Sequence, residues 1–210
     1  GVFQLFGITV IEEFKGTLPK HRKDNAIVMF SHGSNLDPLL ILATFPFFPN
    51  FVAKKSLFKI PIFGQVLKTI GQIPIDRTNL TSAIETLNTT AHVATSENKT
   101  VAISPEGARR RSPSIGPDQL LPFKKGPFHL AKAVGVDIIP CAINGSYRLW
   151  RPGQIFPVPG VIRVKYLDRI SKEFIEQRSV EEVQEEVQKR LKAELTAIPD
   201  EVIYNTENKP

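Results

Sequence analysis

Residues 31–40, SHGSNLDPLL, set His32 and Asp37 five positions apart, directly after the apolar run AIVMF of residues 26–30. A neutral imidazole near pH 7 can take a proton from an alcohol. A carboxylate on its other ring nitrogen fixes the tautomer and stabilises the imidazolium that forms. That pairing requires His32 in the turn after a strand and Asp37 at the opening of the next helix. The same residues also read as a plain strand end followed by a capped helix, because an aspartate before Pro38 is a good N-cap with proline at the first helical position. On this stretch alone both readings stay open.

Other charge-bearing groups recur downstream. SPEGARRRS, residues 104–112, offers Glu106 as an acceptor, Gly107 for close backbone approach and three arginines, Arg109 to Arg111, that could clamp a phosphate. The alternative is a polar turn with a solvated basic run. GQIPIDR ends in Arg77, a second phosphate candidate or half of a surface pair with Asp76. Lys54 and Lys55 in AKKS either line an anionic groove or solubilise a loop.

The elements that must position these groups alternate along the chain. Strand-like runs occupy 8–14, 26–30, 100–104, 136–143 and 161–167, and amphipathic segments lie between them. In 80–95 an apolar stripe passes through Leu80, Ala83, Ile84, Leu87, Ala91 and Ala94, and 127–134 opens on Pro127 and stops at Gly135. Residues 180–197 carry the stripe Val180, Val183, Val187, Leu191 and Leu195, with Ser179 and Glu182 at capping-box spacing. The expectation is a single α/β domain, a central mixed sheet flanked by helices, over residues 1–198 with a polar tail at 199–210. In such a sheet ligand groups collect at the carboxyl ends of strands. His32 follows AIVMF, Arg77 follows GQIPI, and Glu106 and Arg109 follow TVAIS.

Composition narrows the partners. The net charge of +6 favours anionic ligands, a phosphate, an anionic membrane surface or nucleic acid. The single cysteine, Cys141, excludes an internal disulfide, and the four histidines lack metal-binding spacing, so no metal is expected. No apolar run approaches the roughly 18 residues of a membrane span. The richest apolar stretch, LLILATFPFFPNFVA at 39–53, reads as core, with its four phenylalanines around two prolines as a second option for contact with a lipid interface. The chain begins with Gly1 rather than methionine, which leaves room for a membrane-anchoring segment ahead of it. A serine hydrolase is set aside because no G-x-S-x-G occurs. Nucleic acid is not expected as a partner, since no RNP-like strand or zinc pattern accompanies the basic run.

Taken in order, H-x4-D, then VAKKSLFKIPIFGQVLKTIGQIPIDR, then SPEGARRRS with LLPFKKGPFHLA, then IIPCAI, the chain from about residue 8 to about residue 167 resembles the glycerophospholipid acyltransferase family, and within it the 1-acylglycerol-3-phosphate acyltransferases. The resemblance implies that His32 is the general base, oriented by Asp37, and that Arg77, Glu106, Gly107 and Arg109 bind the acceptor and its phosphate. Lys54 or Lys55 would add positive charge near the same phosphate. Pro140 marks the fourth motif, linked in the family to the acyl donor. The implied reaction acylates the sn-2 hydroxyl of lysophosphatidic acid from acyl-CoA or acyl-carrier protein, with no further cofactor. Other acceptors (another lysophospholipid, monoacylglycerol or glycerol 3-phosphate) and a non-catalytic lipid-binding role are the alternatives. The implied setting is a membrane surface with the site facing the cytoplasm, at a bacterial inner membrane or an organellar or endoplasmic reticulum membrane. Nothing in the sequence assigns an oligomeric state.

The sequence departs from the family pattern at Ser31 (usually Asn), Pro74, Ser104 (usually Phe), Ala108 (usually Thr or Ser) and Arg110 (usually Ser). None of these removes the base or its orienting acid. Ala108 and Arg110 do change the hydroxyl content of the acceptor loop.

Overall fold

Short unbroken runs rich in branched apolar residues form the strands at the centre of the protein. The computed structural model describes residues 3–21, 24–76, 80–97, 99–109, 119–151 and 153–196. The strands are β1 (Ile8–Phe14), β2 (Ile27–Phe30), β3 (Asn50–Lys54), β4 (Ile73–Ile75), β5 (Val101–Ile103), β6 (Ile138–Asn144) and β7 (Gly160–Tyr166). They form one seven-stranded sheet in the order β1-β7-β6-β2-β5-β3-β4. Strands β6, β2, β5, β3 and β4 run parallel, β7 is antiparallel to β6, and β1 is parallel to β7, so the sheet is mixed.

Helices cover both faces: α1 (Leu36–Thr44), α2 (Phe63–Thr69), α3 (Leu80–Ser96), α4 (Gly126–Val134), α5 (Ser146–Leu149), α6 (Lys172–Gln177) and α7 (Val180–Thr196). The period of two along β2 divides the core. Ile27 and Met29 pack with α4 and α7 residues on one face, while Val28 and Phe30 pack with Leu40, Ile41 and Tyr166 on the other. A strand buried on both faces has to read as an unbroken apolar run, as AIVMF does.

Several local expectations hold. In α7, Ser179 Oγ accepts the Glu182 N–H at 3.1 Å and Glu182 Oε2 accepts the Ser179 N–H at 2.8 Å, a reciprocal capping box. Val183, Val187, Leu191 and Leu195 of the same helix are fully buried. Helix α4 carries Pro127 in its first turn and ends on Gly135 at φ 66°, the left-handed conformation that glycine adopts without steric cost. For 80–95 the helix is present, while the side chains of Leu80, Ala83 and Ile84 lie outside the described residues, as do the tail at 199–210 and the arginines at 110 and 111.

The stretch 39–53 resolves into three pieces, the end of α1, a turn and β3. Phe45 and Phe51 are buried, and only Phe48 is strongly exposed, at 76%. Because β3 starts at Asn50 opposite the first residue of β5, this turn lies at the amino edge of the parallel strands, away from His32. Among the described residues no helix is long and apolar enough to cross a membrane.

Candidate active site

Strand β2 ends at Phe30, and the next residue keeps the chain on the sheet. The Ser31 N–H donates to the Cys141 carbonyl at 3.1 Å, and Ser31 Oγ accepts the Ile143 N–H at 2.9 Å. The serine at this position therefore stands in for one rung of the β2–β6 ladder. It fixes the point at which the backbone turns and presents His32. The imidazole packs edge-on against Phe30, with ring centroids 5.6 Å apart, and its side chain is 15% exposed.

Asp37 does not cap its helix. Helix α1 begins at Leu36, with Asn35 at the N-cap position and no side-chain cap. Asp37, the second helical residue, turns its carboxylate back over the preceding turn. Its Oδ2 accepts the Gly33 and Ser34 N–H groups, each at 2.8 Å, and lies 2.8 Å from His32 Nδ1. The N-cap expectation fails because this carboxylate satisfies amides on the N-terminal side of α1 rather than those inside its first turn. The two readings of SHGSNLDPLL thus merge: one fully buried carboxylate both organises the turn and abuts the imidazole. A carboxylate can only accept, so the contact places the ring proton on Nδ1 and leaves Nε2 with its lone pair.

A second carboxylate holds the same loop from the neighbouring strand. Strand β5 leads into Ser104-Pro105-Glu106-Gly107, closed by a Gly107 N–H to Ser104 carbonyl bond of 3.1 Å with Gly107 at φ 69°. Glu106 is buried. Its Oε1 accepts the His32 N–H at 2.7 Å and its Oε2 accepts the Leu121 N–H at 2.8 Å. The expected acceptor-binding glutamate thus spans three segments of chain, with each oxygen engaged by a backbone amide. Ser34 adds a further tie, since its Oγ accepts the Leu36 N–H at 3.2 Å and donates to the Trp150 carbonyl at 2.9 Å.

Topology gathers the other candidates at the same edge. Arg109 is half-buried three residues beyond Glu106, and Lys54 and Lys55 are exposed where β3, the neighbour of β5, ends. Lys55 Nζ stands 4.0 Å from Asp76 Oδ2. Arg77 lies outside the described residues. Pro140 is buried within β6, opposite Met29.

Beside Glu106 and Gly107 opens a cavity of about 900 Å³ between α3 and α4. Val52, Ile75, Leu87, Ile103, Leu130 and Pro127 make much of its wall apolar, and Lys124, Lys125, Asn88 and His129 supply polar groups. A cavity of this size and character suits a largely apolar small molecule with a polar end. Ser104 Oγ, also on the wall, is buried and accepts or donates no hydrogen bond among the described residues.

Cys141 is fully buried, and burial, followed by the nearby Asp37 charge, pushes its thiol well above the usual range. A thiol held protonated is a poor nucleophile. Among the described residues no group of three or more His, Cys, Asp or Glu side chains could hold a metal ion. Sequence reasoning missed Ser31, Ser34 and Leu121 as parts of the site. Their contributions are a hydroxyl or a backbone amide, which carry no motif.

Comparison with known proteins identifies the family and the fold. Residues 11–144 match the family described as Acyltransferase. A 1-acyl-sn-glycerol-3-phosphate acyltransferase of Limnanthes alba is 36% identical over 172 residues, 81% of this chain and 57% of that protein. The enzyme of the same name from Haemophilus influenzae is 34% identical over 148 residues, 70% of this chain and 58% of that one. The crystal structure of the 1-acyl-sn-glycerophosphate acyltransferase PlsC from Thermotoga maritima superposes with a TM-score of 0.78 at 26% identity, covering 92% of this chain and 73% of that one. The chain spans somewhat more than half the length of the two curated relatives, 57% and 58%.

Proposed function

Because the chain belongs to the acyltransferase family, we propose that it acylates the sn-2 hydroxyl of lysophosphatidic acid to give phosphatidic acid, with a thioester, acyl-CoA or acyl-carrier protein, as donor. The observation that carries this reading is the 2.8 Å contact between His32 Nδ1 and Asp37 Oδ2, in a loop that Glu106 ties to the wall of an apolar cavity. The names of the relatives support the choice of acceptor.

In this mechanism His32 Nε2 removes the acceptor hydroxyl proton as the oxygen attacks the thioester carbonyl carbon. The C–S bond then breaks, and the imidazolium returns its proton to the departing thiolate. The acceptor is itself the nucleophile, so no acyl-enzyme forms. Asp37 holds the imidazole and stabilises its charged form. Glu106 fixes the loop that carries His32. Gly107, with Arg109, Arg77, Lys54 and Lys55, forms the phosphate side of the site, so that binding energy becomes orientation of the hydroxyl. The cavity takes the acyl chain. Residues 1–198 constitute the acyltransferase domain, and the protein works at a membrane surface with its site toward the cytoplasm.

The test is a panel of acceptors (lysophosphatidic acid, other lysophospholipids, monoacylglycerol and glycerol 3-phosphate) with a labelled thioester donor. The reading expects phosphatidic acid as the main product, formed only when acceptor is present. Equal transfer to acceptors lacking a phosphate would overturn the assignment of the basic side.

A further inference from the structure

The edge of the sheet that carries His32 also carries exposed apolar side chains in three separate segments. The first is the 3-10 turn Gln4–Phe6 ahead of β1, where Leu5 is 83% exposed. The second follows β3, before α2 returns the chain to the far edge, where Ile62 is 84% exposed beside Ile60 and Phe63. The third is the loop between α5 and β7, where Ile155 is 81% exposed beside Phe156. Since β1 and β7 start at the edge where β6, β2, β5 and β3 end, all three segments lie at the edge that carries His32.

The first and third segments are joined to each other and to the site. A Cβ on Gly7 would lie 3.0 Å from Pro159, so the first and third segments abut. The third is tied to the His32 loop through the Ser34 Oγ to Trp150 carbonyl bond. Ile62 is also the described residue other than glycine that has positive φ, with φ 63° and ψ −59°, inside a three-residue turn closed by the Phe63 N–H and the Pro61 carbonyl at 2.6 Å. This is the strained hand of the γ-turn, costly for a β-branched residue. A turn needing only that backbone would favour glycine, whereas this one holds an isoleucine side chain out into solvent.

Charge identifies the occupant. From Pro38 to Ile75 the chain has four lysines, Lys54, Lys55, Lys59 and Lys68, and no acidic residue. All four are exposed; Lys54, Lys55 and Lys59 lie between the end of β3 and Ile62, whereas Lys68, in the last turn of α2, lies toward the far edge, and Lys124 adds a further exposed cation beside the cavity. Apolar tips interleaved with lysines suit the interface of a bilayer that contains anionic lipid. We propose that this edge of the sheet is the face by which the protein docks on an anionic bilayer, setting His32 and the cavity mouth against the leaflet that supplies its lipids. The choice of a bilayer rests on the lipid-acylating reading of the site.

The experiment is co-sedimentation of the full chain with phosphatidylcholine vesicles, with and without phosphatidylglycerol. It compares the wild type with Ile62→Gly/Ile155→Ser and with Lys59→Gln. Glycine accepts the positive φ at 62, so the first variant should keep its fold, checked by circular dichroism. The proposal expects the wild type to sediment preferentially with anionic vesicles. The apolar variant should lose roughly tenfold or more in partition, as removal of two inserted side chains implies, and the lysine variant should bind anionic vesicles roughly several-fold more weakly. Unchanged partition of the apolar variant, or no sedimentation of the wild type, overturns it. So does self-association of the wild type without lipid that the apolar variant abolishes, because the edge would then be an interface between copies. A parallel assay with short-chain, water-soluble donor and acceptor separates the two claims. Loss of vesicle binding with retained transfer supports the docking face, whereas absence of transfer by the wild type overturns the activity and leaves the vesicle result to be judged on its own.

Discussion

Glu106 Oε1 accepts the backbone N–H of His32 at 2.7 Å, while the other oxygen of the same carboxylate accepts the Leu121 N–H at 2.8 Å. His32 is thus held by two acids, Asp37 through the ring and Glu106 through the main chain. Charge-assisted bonds to a buried carboxylate are the stronger kind, and an amide left without its partner costs about 1–3 kcal/mol. Glu106→Ala should therefore lower stability by about 2–5 kcal/mol. Glu106→Gln keeps the shape but turns one acceptor into a donor facing an N–H. As a positioning residue, Glu106 should show a fall in kcat larger than any rise in KM for the acceptor, whereas direct acceptor binding would show mainly a rise in KM. Steady-state kinetics of the glutamine variant decide this.

Asp37→Asn tests the second support. All three donors, the His32 ring and the Gly33 and Ser34 amides, already meet the single oxygen Oδ2, and Oδ1 has no hydrogen-bond partner among the described residues. The asparagine can therefore keep its oxygen on all three donors and put its NH₂ in the place of Oδ1, so the turn and the ring tautomer survive and what is lost is the negative charge that stabilises the imidazolium. The expected loss in kcat is about 10²–10⁴-fold, by analogy with triads in which the orienting acid is replaced. The loss should persist as pH rises, because the counter-charge is missing throughout. Rates of this variant across pH 6–9 check it.

Burial makes Cys141 a reporter of folding. Its thiol is fully enclosed and pushed up by that enclosure, with the Asp37 charge adding to the effect. An aromatic disulfide reagent at neutral pH should release nothing from the native protein and one equivalent after unfolding in guanidinium. Fast labelling of the native state would mean that the sheet beneath His32 opens readily. Cys141→Ala should leave acyl transfer intact, since the mechanism assigns the thiol no step.

The edge of the sheet opposite the site has its own electrostatic fastening. Arg169 donates to both oxygens of Asp24, at 2.8 and 2.9 Å, to Asp137 at 3.2 Å and to the Thr17 carbonyl at 2.9 Å. The Arg169 hydrogen bonds hold the Asp24 carboxyl below its ordinary value of 3.8. A group whose pKa is lower when folded adds stability above its unfolded pKa and loses it as pH falls through the folded one. Asp24→Asn should therefore be less stable than the wild type at neutral pH, by no more than about 1 kcal/mol for so exposed a pair. The difference should shrink below about pH 4. Thermal denaturation of both proteins at pH 7 and pH 3 measures it.

Much of this arrangement is legible in the sequence because its signals are local. The capping box at Ser179 and Glu182, the Pro127 start and Gly135 stop of α4, and the doubly buried run at 26–30 each follow from the residues at hand. Strands β3 and β4 were harder to read. Each is short, and β3 sits inside a continuous apolar stretch where periodicity cannot separate strand from helix. His32, Asp37 and Glu106 are visible as residue types. The partners that fix them are not, since the Leu121 amide and the Ser31 hydroxyl become relevant only when segments far apart in sequence meet. The exposed apolar edge is invisible in the sequence for the same reason: Leu5, Ile62 and Ile155 look like ordinary core residues until the fold turns them outward.

The central claim is that the His32 imidazole, held by Asp37, removes the acceptor's proton. The most direct measurement is acceptor-dependent release of thiol from the acyl donor, comparing the wild type with His32→Ala under saturating lysophosphatidic acid. The account expects a loss of about 10²–10⁴-fold in turnover, with acceptor binding by the variant little changed. Near-normal turnover by His32→Ala would contradict it.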